Sequence, residues 1–354
     1  MTLQLYIARQ ILVGFAFAVG GMAFIAIPGV AVNAVHKLGG VGMATLLGYL
    51  PLVLTGLVPY LVPIGFLLAV VAVYGRLAAD NEWTAICMAG FSPLRMLLPA
   101  LAVAGVLALG TELLVSYVSP GLSYRTRVYL KDSVVQSLRT LSPGRTQLSF
   151  GDFYLNSRYR QGNEFRDVFI HVPAREEEGA QSILADRAVF EVRGNEMLVQ
   201  LANARRVHTL QDTSLEYLQV TIDLDELFGT TMPVRNAWKY QTSRELRRTL
   251  ARGEVPSEHL LEARFEIHNR HALASTSLLF LLLGAPTGLL LRHGTQLGAL
   301  ATAIAYALAY YVLSMRLGKT LGVSGAMPQW LAAWSTTILG AAAGIVLAWK
   351  AMRR

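Results

Sequence analysis

Both ends of the chain alternate long uncharged apolar runs with short charged joints, and a polar stretch separates the two ends. Gln10–Val35 carries no full charge, and neither does Leu38–Gly75, which holds Pro51, Pro59 and Pro63. A helix rises about 1.5 Å per residue, so crossing a hydrocarbon core of roughly 30 Å takes about 20 residues. The first run spans with length to spare. The second reads as a bent helix entered through an interfacial segment. A third span runs from about Met96 to Val118 with Glu112 inside it, and Ala272–Leu291, Gly294–Met315 and Thr320–Trp349 give three more. The short Arg292-His293-Gly294 joint makes spans four and five an antiparallel hairpin. Paired glycines at Gly284/Gly288, Gly294/Gly298 and Gly340/Gly344 read as close-packing positions.

The polar stretch has a different period. Gln147–Phe150, Asp152–Tyr159, Phe165–Val172, Ser182–Val192, Met197–Leu201 and Leu215–Ile222 read as strands, divided by turn-forming segments such as Gln161-Gly162-Asn163, Arg175–Gly179 and Gly194-Asn195. In Val168–Val172 and Ala188–Val192 the polar residues fall on one face. After Pro233 the pattern turns helical: Thr242–Gly253 reads as a helix with Ser243 as N-cap and Gly253 as its stop. The insert is all-β with a helical return to the membrane.

Charge sharpens this division. Apolar residues make up 53% of the 354 and charged ones 15%. The insert between Gly121 and His271 carries 21 Lys/Arg against 20 Asp/Glu, while the flanking stretches carry 10 against 3 (Asp80, Glu82 and Glu112). The excess of base is therefore a membrane-topology signal rather than a nucleic-acid footprint. Arg9, Arg76, Arg95, Arg292, Lys350, Arg353 and Arg354 lie on the side of the termini, and Lys37, Arg316 and Lys319 lie in the short loops opposite. Seven against three puts both termini in the cytoplasm and the insert outside. The first apolar run is too long for a cleaved leader.

Catalytic and metal motifs are absent from the sequence. It holds no Gly-x4-Gly-Lys-Ser/Thr, no His-Glu-x-x-His and no Gly-x-Ser-x-Gly. His268 and His271 share a helix face but have no third ligand nearby, so they read as interfacial histidines. Cys87 is the single cysteine and excludes an internal disulfide. Glu112 is an ionisable group inside a span, which is costly unless it is paired or reaches the interface. The joint between spans two and three, from Tyr74 to Arg95, reads as a short amphipathic helix. Leu77, Trp83, Ile86 and Met88 form its apolar surface beside Asp80 and Glu82, and Gly90 and Pro93 end it. Such a helix either lies on the membrane or is gripped by another protein.

That joint, Gly75-Arg-Leu-Ala-Ala-Asp-Asn-Glu-Trp-Thr-Ala-Ile-Cys-Met-Ala-Gly-Phe-Ser, resembles the segment after span two of the LptF/LptG permease family. Thr111-Glu112 before Pro120 is similar to the family's third span, and His268-Asn-Arg-His-Ala, Leu283-Gly-Ala-Pro-Thr-Gly and Ala309-Tyr-Tyr-Val-Leu to its fourth and fifth. Asn81 and Trp83 stand where the family usually has Ser and an aliphatic residue. The resemblance implies a membrane α-helical fold of six transmembrane helices with an inserted all-β, jelly-roll-like periplasmic domain. Residues 1–122 would hold spans one to three with a coupling helix at about 76–91. Residues 123–270 would form the insert and its return, and 271–354 spans four to six. It implies one half of an ATP-driven exporter in the bacterial inner membrane, without catalysis, metal or cofactor of its own. This half would pass lipopolysaccharide to a periplasmic bridge. The partners implied are a second permease of the same type, an LptB-like cytoplasmic ATPase dimer, an LptC-like periplasmic protein and membrane lipid, with no nucleic acid. Asp80, Glu82, Trp83, Ile86, Met88 and Arg95 would couple to the ATPase, Glu82 by pairing with a basic residue. Lys37, Arg316 and Lys319 would meet glycolipid phosphates, or serve only as interface anchors. The residues do not separate F from G, and they leave open an exporter of another envelope lipid or lipoprotein, or a non-transporting scaffold.

Overall fold

The computed structural model describes residues 2–38, 43–140, 146–150, 153–161, 164–172, 181–193, 196–206, 214–223, 238–291 and 296–353. Six helices among them are long and apolar enough to cross a membrane: Leu3–Ala34, Leu47–Ala79, Pro93–Tyr129, Ser257–Leu290, Leu297–Val323 and Gln329–Met352. The Arg292-His293-Gly294 joint, Gly162-Asn163, Arg175–Gly179, Gly194-Asn195 and the stretch around Pro233 lie outside the described residues, while Gln161, expected in a turn, ends a strand.

In chain order the elements begin with α1 (Thr2–Leu38), α2 (Met43–Ala79), α3 (Glu82–Met88) and α4 (Pro93–Leu113), then a π-helical turn (Leu114–Val118) and α5 (Ser119–Thr140). Strands β1 (Thr146–Phe150), β2 (Phe153–Gln161), β3 (Glu164–Val172), β4 (Gln181–Arg193), β5 (Glu196–Arg206) and β6 (Ser214–Asp223) follow. After them come α6 (Ser243–Ala251), α7 (Leu260–Leu290), α8 (Gln296–Leu313), a second π-helical turn (Ser314–Gly318), α9 (Lys319–Val323) and α10 (Gln329–Met352).

The second span is one helix from Met43 to Ala79 with Pro51, Pro59 and Pro63 inside it: a spanning helix retains prolines because nearby groups satisfy the freed carbonyls. Two expectations are revised. The fifth span continues through the second π-helical turn to Val323, so Arg316 and Lys319 lie on a helix rather than in a loop. Gly318 and Gly322 allow this, since a Cβ on Gly318 would stand 3.1 Å from the Ala332 carbonyl oxygen and one on Gly322 would meet Phe265 and Ala332. Finally, α6 is capped by Thr242, not Ser243. The Thr242 hydroxyl accepts from the Glu245 N–H while the Glu245 carboxylate accepts from the Thr242 N–H at 2.9 Å, a reciprocal capping box. Gly253, at φ +69°, stops the helix as expected.

Two compact units emerge: Met1–Ala26 with Gly56–Gly121 and Gln241–Arg354, and Ile27–Thr55 with Leu122–Tyr240. In the first, α2 is shared between two apolar clusters. Phe66, Val70 and Tyr74 pack with Ile7, Ile11, Met96, Ala100 and Leu281, and on the other side Leu67 and Val71 meet Phe280, Leu283, Ala303 and Tyr310. The helices cross closely where glycine permits it. A Cβ on Gly288 of α7 would stand 2.8 Å from the Gly75 nitrogen, and one on Gly344 of α10 would stand 2.7 Å from Leu282 Cγ. The Gly284/Gly288 and Gly340/Gly344 pairs are thus packing positions. Large apolar side chains such as Leu5, Phe17, Phe24 and Ile25 are exposed along α1, as a bilayer-facing surface requires.

The second unit contains a six-stranded antiparallel sheet in sequential order, β1 to β6. Its strands fall within a few residues of those read from the alternation, except that β5 continues to Arg206. A crease runs across the sheet. Asp167 and Asn203 adopt positive φ, and the buried positions change parity around them: Val168 and Ile170 against Phe165 in β3, and Ile183 and Ala185 against Ala188 and Phe190 in β4. Asn203 donates to Asp186 at 2.9 Å on the exposed face. The pairing register is unbroken across this level, so the change of face occurs within β3 and β4 themselves and keeps their apolar side chains inward.

Candidate functional site

The segment joining α2 to α4 is built around two positive-φ turns, at Asn81 and Gly90. The helix expected over about 76–91 is interrupted: α2 runs on to Ala79, Asp80 and Asn81 turn with Asn81 at φ 58°, and α3 covers only Glu82–Met88. Gly90, at φ +89°, ends α3, and Pro93 occupies the first turn of α4, where its missing N–H is not needed. Leu77 therefore belongs to the buried core of α2 and not to the α3 surface. Trp83, Ile86 and Cys87 are half-buried against that same core. The Trp83 ring meets Tyr74 edge-on at 6.0 Å, and the Tyr74 hydroxyl donates to the Met96 carbonyl at 2.9 Å. One tyrosine thus ties α3 to α2 and α4.

Turning these side chains inward leaves the opposite face of α3 outward. Asp80, Glu82 and Arg95 are exposed, Met88 is 86% exposed and Phe91 48%. Phe91 was not singled out in the sequence, because its exposure depends on the turn at Gly90. The exposed surface is therefore Glu82, Met88 and Phe91, while Trp83 and Ile86 anchor it from beneath.

A second cluster lies where the chain leaves span three for the insert and returns into span four. Glu112, on α4, is paired: His271 Nδ1 stands 3.0 Å from both of its carboxylate oxygens, and the Ser116 hydroxyl donates to it at 2.6 Å. Ser116 lies within the first π-helical turn and in turn accepts from the Ser243 hydroxyl of α6 at 3.0 Å. Arg270, only 3% exposed, donates to Ser243 at 3.2 Å, to the Gln241 carbonyl at 3.0 Å and to Glu266 at 3.0 Å. Arg247 Nη2 lies 2.6 Å from His271 Nε2. A guanidinium has no acceptor, so Nε2 must accept, and the ring carries its proton on Nδ1 and donates it to Glu112. The cost of an acid within a span is met here by hydrogen bonds from His271 of α7 and Ser116 of the π-helical turn, which are themselves bonded to α6. Of this network the sequence singled out only Glu112 as costly.

The three expected cations differ among themselves. Arg316 is exposed on the second π-helical turn. Lys319 pairs with Glu262 at 3.4 Å and lines a pocket of about 280 Å³ with Tyr60, Glu266, Asn269 and Tyr311. Lys37 lies in the last turn of α1, and its side chain is outside the described residues. Among the described residues no group of His, Cys, Asp and Glu is arranged to hold a metal ion.

The profile of the lipopolysaccharide export system permease LptF/LptG matches residues 5–350, nearly the whole sequence. The chain belongs to the LptF/LptG family. It is thus a multi-pass inner-membrane permease component for lipopolysaccharide export, with six spanning helices and an inserted β domain. A comparison with individually curated proteins found no match. In this LptF/LptG member, the α3 surface presents Glu82, Met88 and Phe91 outward, and Glu112 and His271 anchor a hydrogen-bonded network.

Proposed function

We propose that this permease is one half of an ATP-driven exporter that lifts lipopolysaccharide from the outer leaflet of the inner membrane. ATP would be hydrolysed by a separate cytoplasmic ATPase dimer docked on α3. The reading is carried by one observation: a short exposed helix, acidic at Glu82 and apolar at Met88 and Phe91, is fixed through Trp83 and Tyr74 to two spanning helices. A surface so mounted transmits a push from below into the bundle, because tightly packed elements move as bodies rather than deform. A carboxylate covered by a docked protein favours an arginine partner and is costly without one.

The seven-to-three distribution of basic residues supports cytoplasmic termini and an external β insert. In that orientation Arg316 and Lys319 stand at the outer ends of the spans, where a glycolipid phosphate passes. Arg316 offers an exposed guanidinium for it, whereas Lys319 must first exchange its Glu262 partner. A second permease of the same type completes the cavity. Among the described residues β1 and β6 each have one strand neighbour, the arrangement that accepts a further strand from an LptC-like partner or a bridge protein. Purifying the complex with its ATPase and identifying bound lipid by mass spectrometry tests the cargo. Lipopolysaccharide recovered with the intact complex and lost on ATP turnover supports the reading. Only bulk phospholipid before and after turnover contradicts it.

A further inference from the structure

We propose that His271 is a positioning residue: a proton-responsive latch that holds the far turn of α6 against α7 and lets it go when the ring gains a second proton. The hydrogen-bond roles carry the argument. Arg247 of α6 donates to Nε2 at 2.6 Å, so that nitrogen must be bare, and Nδ1–H is committed to Glu112 at 3.0 Å. A second proton goes onto Nε2. There it removes the acceptor, sets a cation against the Arg247 guanidinium and strengthens the bond to the Glu112 carboxylate. One protonation thus weakens the α6 contact and tightens the α4 contact.

The surroundings leave that outcome in place. Glu112 of α4 is the anion facing the ring, and it is also held by Ser116 of the π-helical turn. On α7 itself, His268 is half-buried within electrostatic reach of both Arg247 and His271, and Arg270 and Glu266 satisfy each other. On α6, Arg244 and Arg248 are exposed and Glu245 is engaged by Thr242, so none of them replaces Nε2 as acceptor for Arg247. The near end of α6 stays fixed, because Ser243 is bonded to Ser116 and Arg270 and Leu246 is fully buried. Protonation therefore loosens Arg247–Ala251 about a pivot at Ser243. The latch therefore sets how firmly the far turn of α6 is held to the start of the fourth span.

The test is amide hydrogen exchange on the full chain in nanodiscs at about pH 8 and about pH 5.5, which bracket the range where imidazoles as a class titrate. Rates are compared as protection factors to remove the intrinsic pH dependence of exchange. No cargo or nucleotide is present, so this result stands apart from the export reading. In the wild type, protection over Arg247–Ala251 falls about fivefold at the lower pH, the effect of losing one hydrogen bond. His271→Gln keeps a donor for Glu112 and an acceptor for Arg247 but does not titrate, and Arg247→Met has no latch to lose. In both variants the difference between the two pH values disappears. Protection that is equal at both pH values in the wild type, or a pH dependence that survives in either variant, overturns the proposal.

Discussion

Glu112 and His271 are 159 positions apart in the chain and meet at 3.0 Å, joining the third span to the start of the fourth. The pair accounts for an acidic residue inside an apolar run: its charge is met by an imidazole N–H and a serine hydroxyl, not left to bare hydrocarbon. Removing the carboxylate leaves both donors without their acceptor. Glu112→Ala is expected to destabilise the purified protein by about 1–3 kcal/mol, and Glu112→Gln by less, since an amide oxygen still accepts. Thermal unfolding in one detergent checks the order. Equal stability of all three proteins would mean that the pairing contributes nothing.

Much of this was legible in the sequence because it is written in local periods. The uncharged runs marked six spans, strand-forming runs bounded by turn residues marked six strands, and Gly90 and Gly253 marked helix ends through φ values that only glycine adopts cheaply. What failed depends on contacts distant in sequence. Ser243 reads as an N-cap, yet its hydroxyl reaches Ser116, 127 residues away, and the capping box passes to Thr242. Trp83 reads as part of an exposed face, but a tyrosine one helix earlier turns it inward. No local pattern specifies that α3 folds back onto Tyr74 or that His271 faces Glu112.

Trp83 and Met88 should therefore behave as opposites. Trp83→Ala removes a half-buried ring from Tyr74 and is expected to cost roughly 2 kcal/mol of stability. Met88→Asp, on the exposed face, should leave thermal stability unchanged while reducing co-purification of the ATPase. If Met88→Asp unfolds the protein and Trp83→Ala does not, the assignment of faces on α3 is inverted.

Gly288 is expected to tolerate no side chain. A Cβ there would stand 2.8 Å from the Gly75 nitrogen and 2.8 Å from the Val71 carbonyl oxygen, both of them backbone that cannot rotate away. Gly288→Val should sharply reduce the folded, detergent-extractable protein, whereas Gly105→Val, where a Cβ meets nothing within 4 Å, should not. Monodisperse elution of both variants would show that the α2–α7 crossing is not close.

The α6 cap carries a pH signature. Hydrogen bonds from the Thr242 backbone N–H and hydroxyl hold the Glu245 carboxyl below its ordinary value. A depressed folded-state value gives stability that is present above the unfolded value and lost as pH falls through the folded one. Protection of the first turn of α6 should thus weaken on acidification below the ordinary carboxylate range. Thr242→Ala should cost about 1 kcal/mol at neutral pH and reduce that acid dependence without abolishing it, because the backbone N–H at 242 still donates to Glu245. Hydrogen exchange at the Glu245 and Leu246 amides reads both effects, and unchanged exchange in Thr242→Ala would discount the cap.

Orientation is read by cysteine labelling in a Cys87→Ser background. A cysteine placed at exposed Glu216 of β6 should react with a membrane-impermeant reagent added from outside the inner membrane, and one at exposed Thr84 of α3 should not. The reverse pattern would place α3 out of reach of any cytoplasmic ATPase.

The most direct test of the coupling account is charge reversal at Glu82 in the complete complex, with ATPase co-purification and lipopolysaccharide release measured together. Glu82 is exposed on a helix held from beneath by Trp83, so Glu82→Arg should leave the permease folded. The account predicts that Glu82→Arg loses most of the bound ATPase and nearly all release, that Glu82→Ala loses less, and that an acidic substitution of the facing arginine on the ATPase partly restores both. A Glu82→Arg complex that retains its ATPase and exports at the wild-type rate would contradict it.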